Sequence, residues 1–139
     1  MTTQASIGYG TVFSLESAPG SGSFVRIAEI DDLTPPNEKA DVLDATNFDS
    51  PDGYKEFIAG MVDPGDLKAA MNFLPGSASE TLILAARASR VSYAAKIVFP
   101  AGQTWIFQLL VLEYAPAAPA DKKMTCTVSG KVSGSIARS

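Results

Sequence analysis

The sequence contains no histidine, and Cys126 is the only cysteine among its 139 residues. The missing histidine excludes Ser-His-Asp and Cys-His nucleophilic arrangements and histidine-ligated zinc sites. A single cysteine permits neither an intrachain disulfide nor a thiolate metal site, and its place in a run of alternating polarity predicts a small core residue. We therefore expect no enzyme activity, no metal and no cofactor.

Charged residues and long apolar runs are also scarce. Charged residues make up 19% of the chain, below the usual ~25%, which is equally typical of an apolar-rich fold and of a surface covered by a partner. The longest apolar stretch, Trp105–Leu112, has eight residues and includes Gln108, whereas a membrane-spanning helix needs about 20. Met1–Gln4 does not begin a secretory signal. We expect a single domain over residues 1–139, made in a cytoplasm and with no membrane contact.

The charges that are present are unevenly distributed. The net charge is −4, which argues against a surface built to hold nucleic acid. Residues 29–66 carry eleven acidic and two basic side chains, and residues 67–139 carry eight basic and three acidic ones. This polarity suits subunits that meet head to tail, although two solvated faces are the commoner explanation.

Motifs for nucleotide and calcium binding are incomplete. Gly20-Ser21-Gly22 begins a dinucleotide-binding pattern, but Val25 occupies the third glycine position. An EF-hand loop with Gly53 in sixth place would begin at Phe48 and end at Ala59, neither of which binds calcium. An improvised calcium or magnesium site remains an alternative on the acidic loop, from Asp44, Asp49 and Asp52.

Alternating polarity of period two dominates the chain and predicts a mostly β fold. Strands are predicted at residues 24–30, 67–73, 93–99, 103–114 and 123–133, with loops at 18–23, 44–56 and 115–120. The strand at 103–114 is apolar on both faces, so we expect a helix or a neighbouring subunit to cover it. One helix is predicted, because Ser77 and Glu80 form a capping box before an Ala- and Leu-rich segment that ends at Ser89.

The order of these features resembles the tail tube proteins of long flexible-tailed, lambda-type phages. The resemblance covers about residues 24–136. The segments that carry it are 27–35, the acidic loop 44–56, 66–76, the helix, the hairpin at 96–102 and the terminal alternating strand.

This resemblance implies a β-sandwich-like or barrel-like fold with one flanking helix. Six subunits would form a ring in which one sheet of each joins a ring-wide barrel, and stacked rings would form the tail tube through which DNA is ejected. The implied partners are further copies of the chain, the tape measure protein and the tail terminator and initiator proteins. DNA would pass without specific binding, and the chain would reside in the virion tail after assembly in the host cytoplasm. An added C-terminal immunoglobulin-like domain is not expected, because the sequence stops at Ser139.

The resemblance also suggests which residues make contacts. The family's inter-ring stacking loop corresponds to residues 44–56, with candidate contact residues Asp44, Asn47, Phe48, Asp49, Asp52, Tyr54 and Glu56. Thr125, Thr127 and Ser129 form the polar face of the last strand and are candidates for the lumen wall. Lys123 and Lys131 are candidate subunit contacts.

Two other functions remain open. The first is a related structural protein of similar fold, such as a tail terminator or a secretion-system tube ring; a terminator would stop at one ring and would not polymerise. A small β-barrel that binds a ligand or a sugar would need an apolar pocket with a few converging polar groups.

Overall fold

The computed structural model describes residue 3 and residues 8–139. The strands are β1 (Val12–Glu16), β2 (Phe24–Arg26), β3 (Ile30–Thr34), β4 (Lys39–Asp44), β5 (Phe57–Asp63), β6 (Asp66–Asn72), β7 (Tyr93–Val98), β8 (Thr104–Ala117) and β9 (Thr125–Arg138). The helix α1 spans Ala78–Ser89, and a short 3₁₀ turn spans Pro51–Gly53.

Seven of these strands form one antiparallel sheet in the order β2-β1-β7-β8-β9-β6-β3, and β4 and β5 pair separately as a hairpin. The sheet is β-sandwich-like, and α1 packs against β8. The predicted mostly β fold with one flanking helix is therefore confirmed.

The two longest strands, β8 and β9, have 14 residues each and connect the two parts of the sheet. β7 pairs with residues 104–109 of β8, whereas β6 pairs with residues 125–131 of β9. The register between β8 and β9 shifts between Val111 and Glu113. This bulge at Leu112 changes which side chains face inward, because an extra residue reverses the alternation that follows it.

The core lies on the inner face of the sheet and under the helix. Its buried apolar residues include Phe13, Leu15, Leu67, Ala69, Met71, Ile83, Ala86, Ile97, Phe107, Leu109, Val111, Cys126, Val128 and Val132. Cys126 is only 2% exposed, as predicted. The opposite face of β8 is not covered within the subunit, because Ile106 and Leu112 remain exposed.

The helix begins as predicted, at the N-cap Ser77. The hydroxyl of Ser77 accepts a hydrogen bond from the backbone N–H of Glu80 at 3.2 Å. The Glu80 carboxylate accepts from the N–H of Gly76 at 3.0 Å, one residue before the position that a capping box would use. Arg90 ends the helix in the left-handed conformation, with φ of 58°.

Three predicted boundaries were wrong. The strand predicted at 24–30 is divided, because Glu29 adopts a φ of 57° between β2 and β3. The loop predicted at 115–120 begins later, since Ala115–Ala117 continue β8 and pair with Thr125–Thr127. The last strand begins at Thr125 and not at Lys123. Met124, just before this strand, is 40% exposed.

Candidate assembly surfaces

The β4–β5 hairpin exposes an unusual amount of apolar surface. Every residue of its two strands is exposed except Gly60, which is half-buried. Large apolar side chains on the two strands are open to solvent: Val42, Leu43, Phe57, Ile58, Met61 and Val62. Met61 is 85% exposed. These apolar side chains lie on both faces of the hairpin, and exposed apolar surface on this scale marks a site of protein association.

All seven predicted stacking residues lie at the tip of this hairpin, with Asp44 at the end of β4 and the other six between β4 and β5, and all are exposed. The structure therefore brings them together on one projection. Phe48 and Tyr54 hold their aromatic rings in solvent. The apolar strands below them were not predicted, because neither strand has a buried face and so neither shows the usual alternation.

Internal hydrogen bonds shape this tip. The Asp44 carboxylate accepts from the backbone N–H of Thr46 at 2.9 Å, and hydrogen bonds from Thr46 lower the pKa of Asp44. The Ser50 hydroxyl donates to Glu56 Oε2 at 2.8 Å. Within the described part of the chain, the carboxylates of Asp49 and Asp52 make no hydrogen bond or ion pair, so both are available to a partner.

The base of the hairpin depends on a glycine. Gly65 follows β5 with φ of 89°, and a Cβ atom there would lie 2.3 Å from the carbonyl oxygen of Asn37. Only glycine fits both the conformation and the close approach. The two ends of the hairpin are thereby held against each other where it leaves the main sheet.

The candidate lumen residues lie on the face of β9 opposite to the core. Thr125, Thr127 and Ser129 are half-buried, because side chains on neighbouring strands flank them. The strand pairing places them in three polar or small rows: Asn72–Thr125–Ala117, Asp32–Ala70–Thr127–Ala115 and Thr34–Lys68–Ser129–Glu113. The rows contain the acids Asp32 and Glu113 and one base, Lys68, so their sum is slightly acidic.

Both candidate contact lysines form ion pairs within the subunit. Lys123 Nζ lies 3.2 Å from Asp31 Oδ2, and Lys131 Nζ lies 2.9 Å from Asp63 Oδ1 and 3.4 Å from Asp66 Oδ1. The hydrogen bond to Asp63 raises the pKa of Lys131. Part of the charge asymmetry between residues 29–66 and 67–139 is thus balanced inside one subunit. Exposed pairs of this kind contribute little stability.

A small polar cluster joins the helix to the sheet. The Tyr114 hydroxyl donates to Glu80 Oε2 at 2.8 Å, and burial, with this bond second, raises the pKa of Tyr114. Burial also raises the pKa of the neighbouring Cys126 thiol, so the thiol stays protonated and unreactive. The cluster fixes the position of α1 on the sheet.

Neither a metal centre nor a membrane helix is found in the described residues. No group of three or more Cys, Asp or Glu side chains among them could hold a metal ion. Within the same residues, no helix is both long and apolar enough to cross a bilayer. The alternative metal site on the acidic loop therefore has no support in the geometry.

Solved structures with the same fold are tail and tube proteins. The chain superposes on a protein from the tail of an empty gene transfer agent particle, refined with C6 symmetry, with a TM-score of 0.79, 18% identity and coverage of 97% of this chain and 99% of that one. The superposition on the SPP1 tail tube has a TM-score of 0.66 and 11% identity, and it covers 92% of this chain and 75% of that one. The superposition on a chain from the sheath/tube terminator structure of an extracellular contractile injection system has a TM-score of 0.71 and 8% identity, and it covers 100% of this chain and 99% of that one. No curated protein sequence matches the chain.

The fold is thus one shared with chains from the tails and tubes of phages and phage-like particles. The family model described as "Lambda phage tail tube protein, TTP" matches residues 8–137. The chain belongs to this family, which confirms the resemblance found in the sequence.

Proposed function

We propose that six copies of this chain form a ring and that the rings stack into the tube of a virion tail, which conducts DNA during ejection. One observation carries the proposal: the β4–β5 hairpin is separate from the main sheet and has large apolar side chains on both faces that the subunit itself does not cover. A second subunit that buries this surface would stabilise the assembly by roughly 25 cal/mol per Å². The gene transfer agent tail, whose structure has C6 symmetry, supports six as the ring number.

The proposed lumen wall consists of the three rows around Thr125, Thr127 and Ser129. Small and weakly acidic side chains would let DNA slide, because a basic wall would hold its phosphates. The further partners in this proposal are the tape measure protein inside the tube and the terminator and initiator proteins at its ends. Assembly would take place in the host cytoplasm, with residues 1–139 acting as one domain without catalytic activity.

Electron microscopy of the purified protein tests this proposal directly. We expect hollow tubes of uniform diameter in negative stain at high protein concentration. The variant Phe57→Ser/Met61→Ser should remain folded and lose the tubes, because both side chains are exposed in the subunit. Met124→Ser, a change of a partly exposed residue outside the hairpin, is the control and should assemble. A chain that stays monomeric even with tail-initiation proteins present would contradict the proposal.

A terminator-type ring is the second candidate function. It is favoured by the full-length similarity to a sheath/tube terminator and to a tube-terminating cap, with TM-scores of 0.71 and 0.67. Single rings that never stack at any concentration would select this function.

A further inference from the structure

A positively charged groove lies beside the helix, away from the hairpin. It has a volume of about 460 Å³, within the range of small binding pockets, and it lies between the C-terminal end of α1 and the part of β8 that β7 leaves unpaired. Its lining residues are Arg87, Ala88, Arg90, Leu110, Val111 and Leu112.

The two arginines make this groove a site for an anion. Neither Arg87 nor Arg90 forms an ion pair within the described part of the chain, and the lining contains no acidic residue. The helix C-terminus contributes only about −0.5 charge, so two guanidinium groups leave the groove clearly positive. Guanidinium groups bind carboxylates with two parallel hydrogen bonds and also stack on aromatic rings.

The floor of the groove is apolar. Leu112 lies on the outer face of β8, in alternation with the buried Val111, and 57% of its surface is exposed. Val91, just past the helix, is also exposed. The groove therefore combines cationic rims with apolar area and fits a partner segment that carries both carboxylates and aromatic rings.

The hairpin tip has this combination. Asp49 and Asp52 have unpaired carboxylates, and the rings of Phe48 and Tyr54 stand in solvent. The alternative receptor, a larger groove of about 850 Å³, contains Arg26 together with Asp31 and Asp32. Its two carboxylates would repel the tip, so the groove beside α1 is the better match.

We propose that the groove beside α1 receives the hairpin tip of a second copy of this chain, with Arg87 and Arg90 binding the carboxylates of Asp49 and Asp52. The inference rests on the proposed tube function and names the receptor of its stacking loop. The contact is head to tail, because tip and groove are different surfaces of the same subunit, and such a contact propagates from copy to copy.

Charge exchange between the two surfaces tests the pairing. Arg87→Glu/Arg90→Glu and Asp49→Lys/Asp52→Lys should each lower the sedimentable tube fraction by about tenfold or more, because like charges then face each other. The variant with all four changes should recover assembly. Lys122→Glu, an exposed cation outside the groove, should assemble normally. Thermal melting of each monomer checks that loss of tubes is not loss of the fold.

Cysteine cross-linking gives a direct measure of proximity. In Asp52→Cys/Arg90→Cys, oxidation of assembled tubes should produce a ladder of covalent oligomers, with the 52–90 bond identified by mass spectrometry. Asp52→Cys/Lys122→Cys is the control and should give no 52–122 bond. If the wild-type chain forms tubes, but the double-cysteine variant gives no 52–90 bond and the fourfold variant does not recover assembly, the inference is overturned and the tube function stays intact. Failure of the wild-type chain to assemble, even with initiation proteins, would instead overturn the tube function and this inference with it.

Discussion

At the scale of single residues, Glu16 is a buried carboxylate with a structural role. Its side chain is 5% exposed and accepts hydrogen bonds from the backbone N–H groups of Gly22 at 2.8 Å, Gly20 at 3.0 Å and Ala94 at 3.3 Å. The loop at 18–23, which composition alone describes as flexible, is thereby held to β1 and β7.

Replacing this carboxylate should destabilise the subunit. In Glu16→Gln the three N–H donors lose their charged acceptor, and the new amide N–H group points at one or more of them. We therefore expect a loss of roughly 1–3 kcal/mol in the free energy of unfolding. Chemical denaturation of the monomer measures it. Glu113→Gln, an exposed carboxylate on β8, is the control and should change stability by less than about 0.5 kcal/mol. Equal effects of the two changes would contradict this role for Glu16.

The same carboxylate predicts a dependence of stability on pH. The N–H of Gly22 makes the largest contribution to lowering the pKa of Glu16 below its ordinary value of 4.5. A lowered folded-state pKa gives stability that is present above 4.5 and is lost as the pH falls through the folded-state value. The wild-type midpoint should therefore fall more steeply in acid than that of Glu16→Gln, and parallel acid curves would contradict this assignment.

At the scale of elements, the pairing of β8 with β9 requires a glycine. A Cβ atom on Gly130 would lie 2.6 Å from the carbonyl oxygen of Leu110 and 2.9 Å from Leu109 Cδ1. We expect Gly130→Ala to destabilise the monomer by roughly 1–3 kcal/mol through overpacking. Gly8→Ala, where a Cβ atom meets nothing within 4 Å, is the control. If Gly130→Ala leaves the free energy of unfolding unchanged, the strands can move apart at this position and the requirement for glycine is contradicted.

Elements with a buried face were predictable from the sequence, and elements without one were not. The alternation in β6 and β7 and the cap at Ser77 follow from local patterns. The hairpin strands β4 and β5 show no such pattern, because neither strand has a buried face within the subunit. The end of β8 was predicted too early, because Pro116 suggested a loop. Proline is accepted there, since β7 does not pair with this part of β8 and one side of the strand is an edge.

Of the two candidate sites, the hairpin tip was predicted from the sequence and the groove beside α1 was not. The acidic tip was identified through the resemblance, and the structure places it on an exposed projection, while its role in stacking stays a prediction. The groove beside α1 was not foreseen, because it is formed by Arg87 and Arg90 of the helix end together with Leu112 of β8. The pattern within one element does not reveal how the helix end lies against a distant strand.

At the scale of the whole molecule, the two faces of the sheet have different composition. The inner face is a continuous apolar core, and the outer face around Thr127 carries short polar side chains with few charges. The apolar surface that stays open is concentrated on the hairpin and beside α1. This arrangement suits a subunit whose polar sheet face borders water in a tube while its apolar projections contact other copies.

The proposed lumen position of Thr127 leads to a prediction about access. In assembled tubes, Thr127→Cys should react with a small maleimide and resist a maleimide carried on a protein too large for the lumen, whereas the free monomer should react with both. The free monomer of the same variant, in which both reagents reach the residue, is the control. Wild-type protein controls for Cys126, whose burial and raised pKa protect it. Reaction of Thr127→Cys tubes with the large reagent would place this face outside the tube, and reaction with neither would place it in a subunit interface.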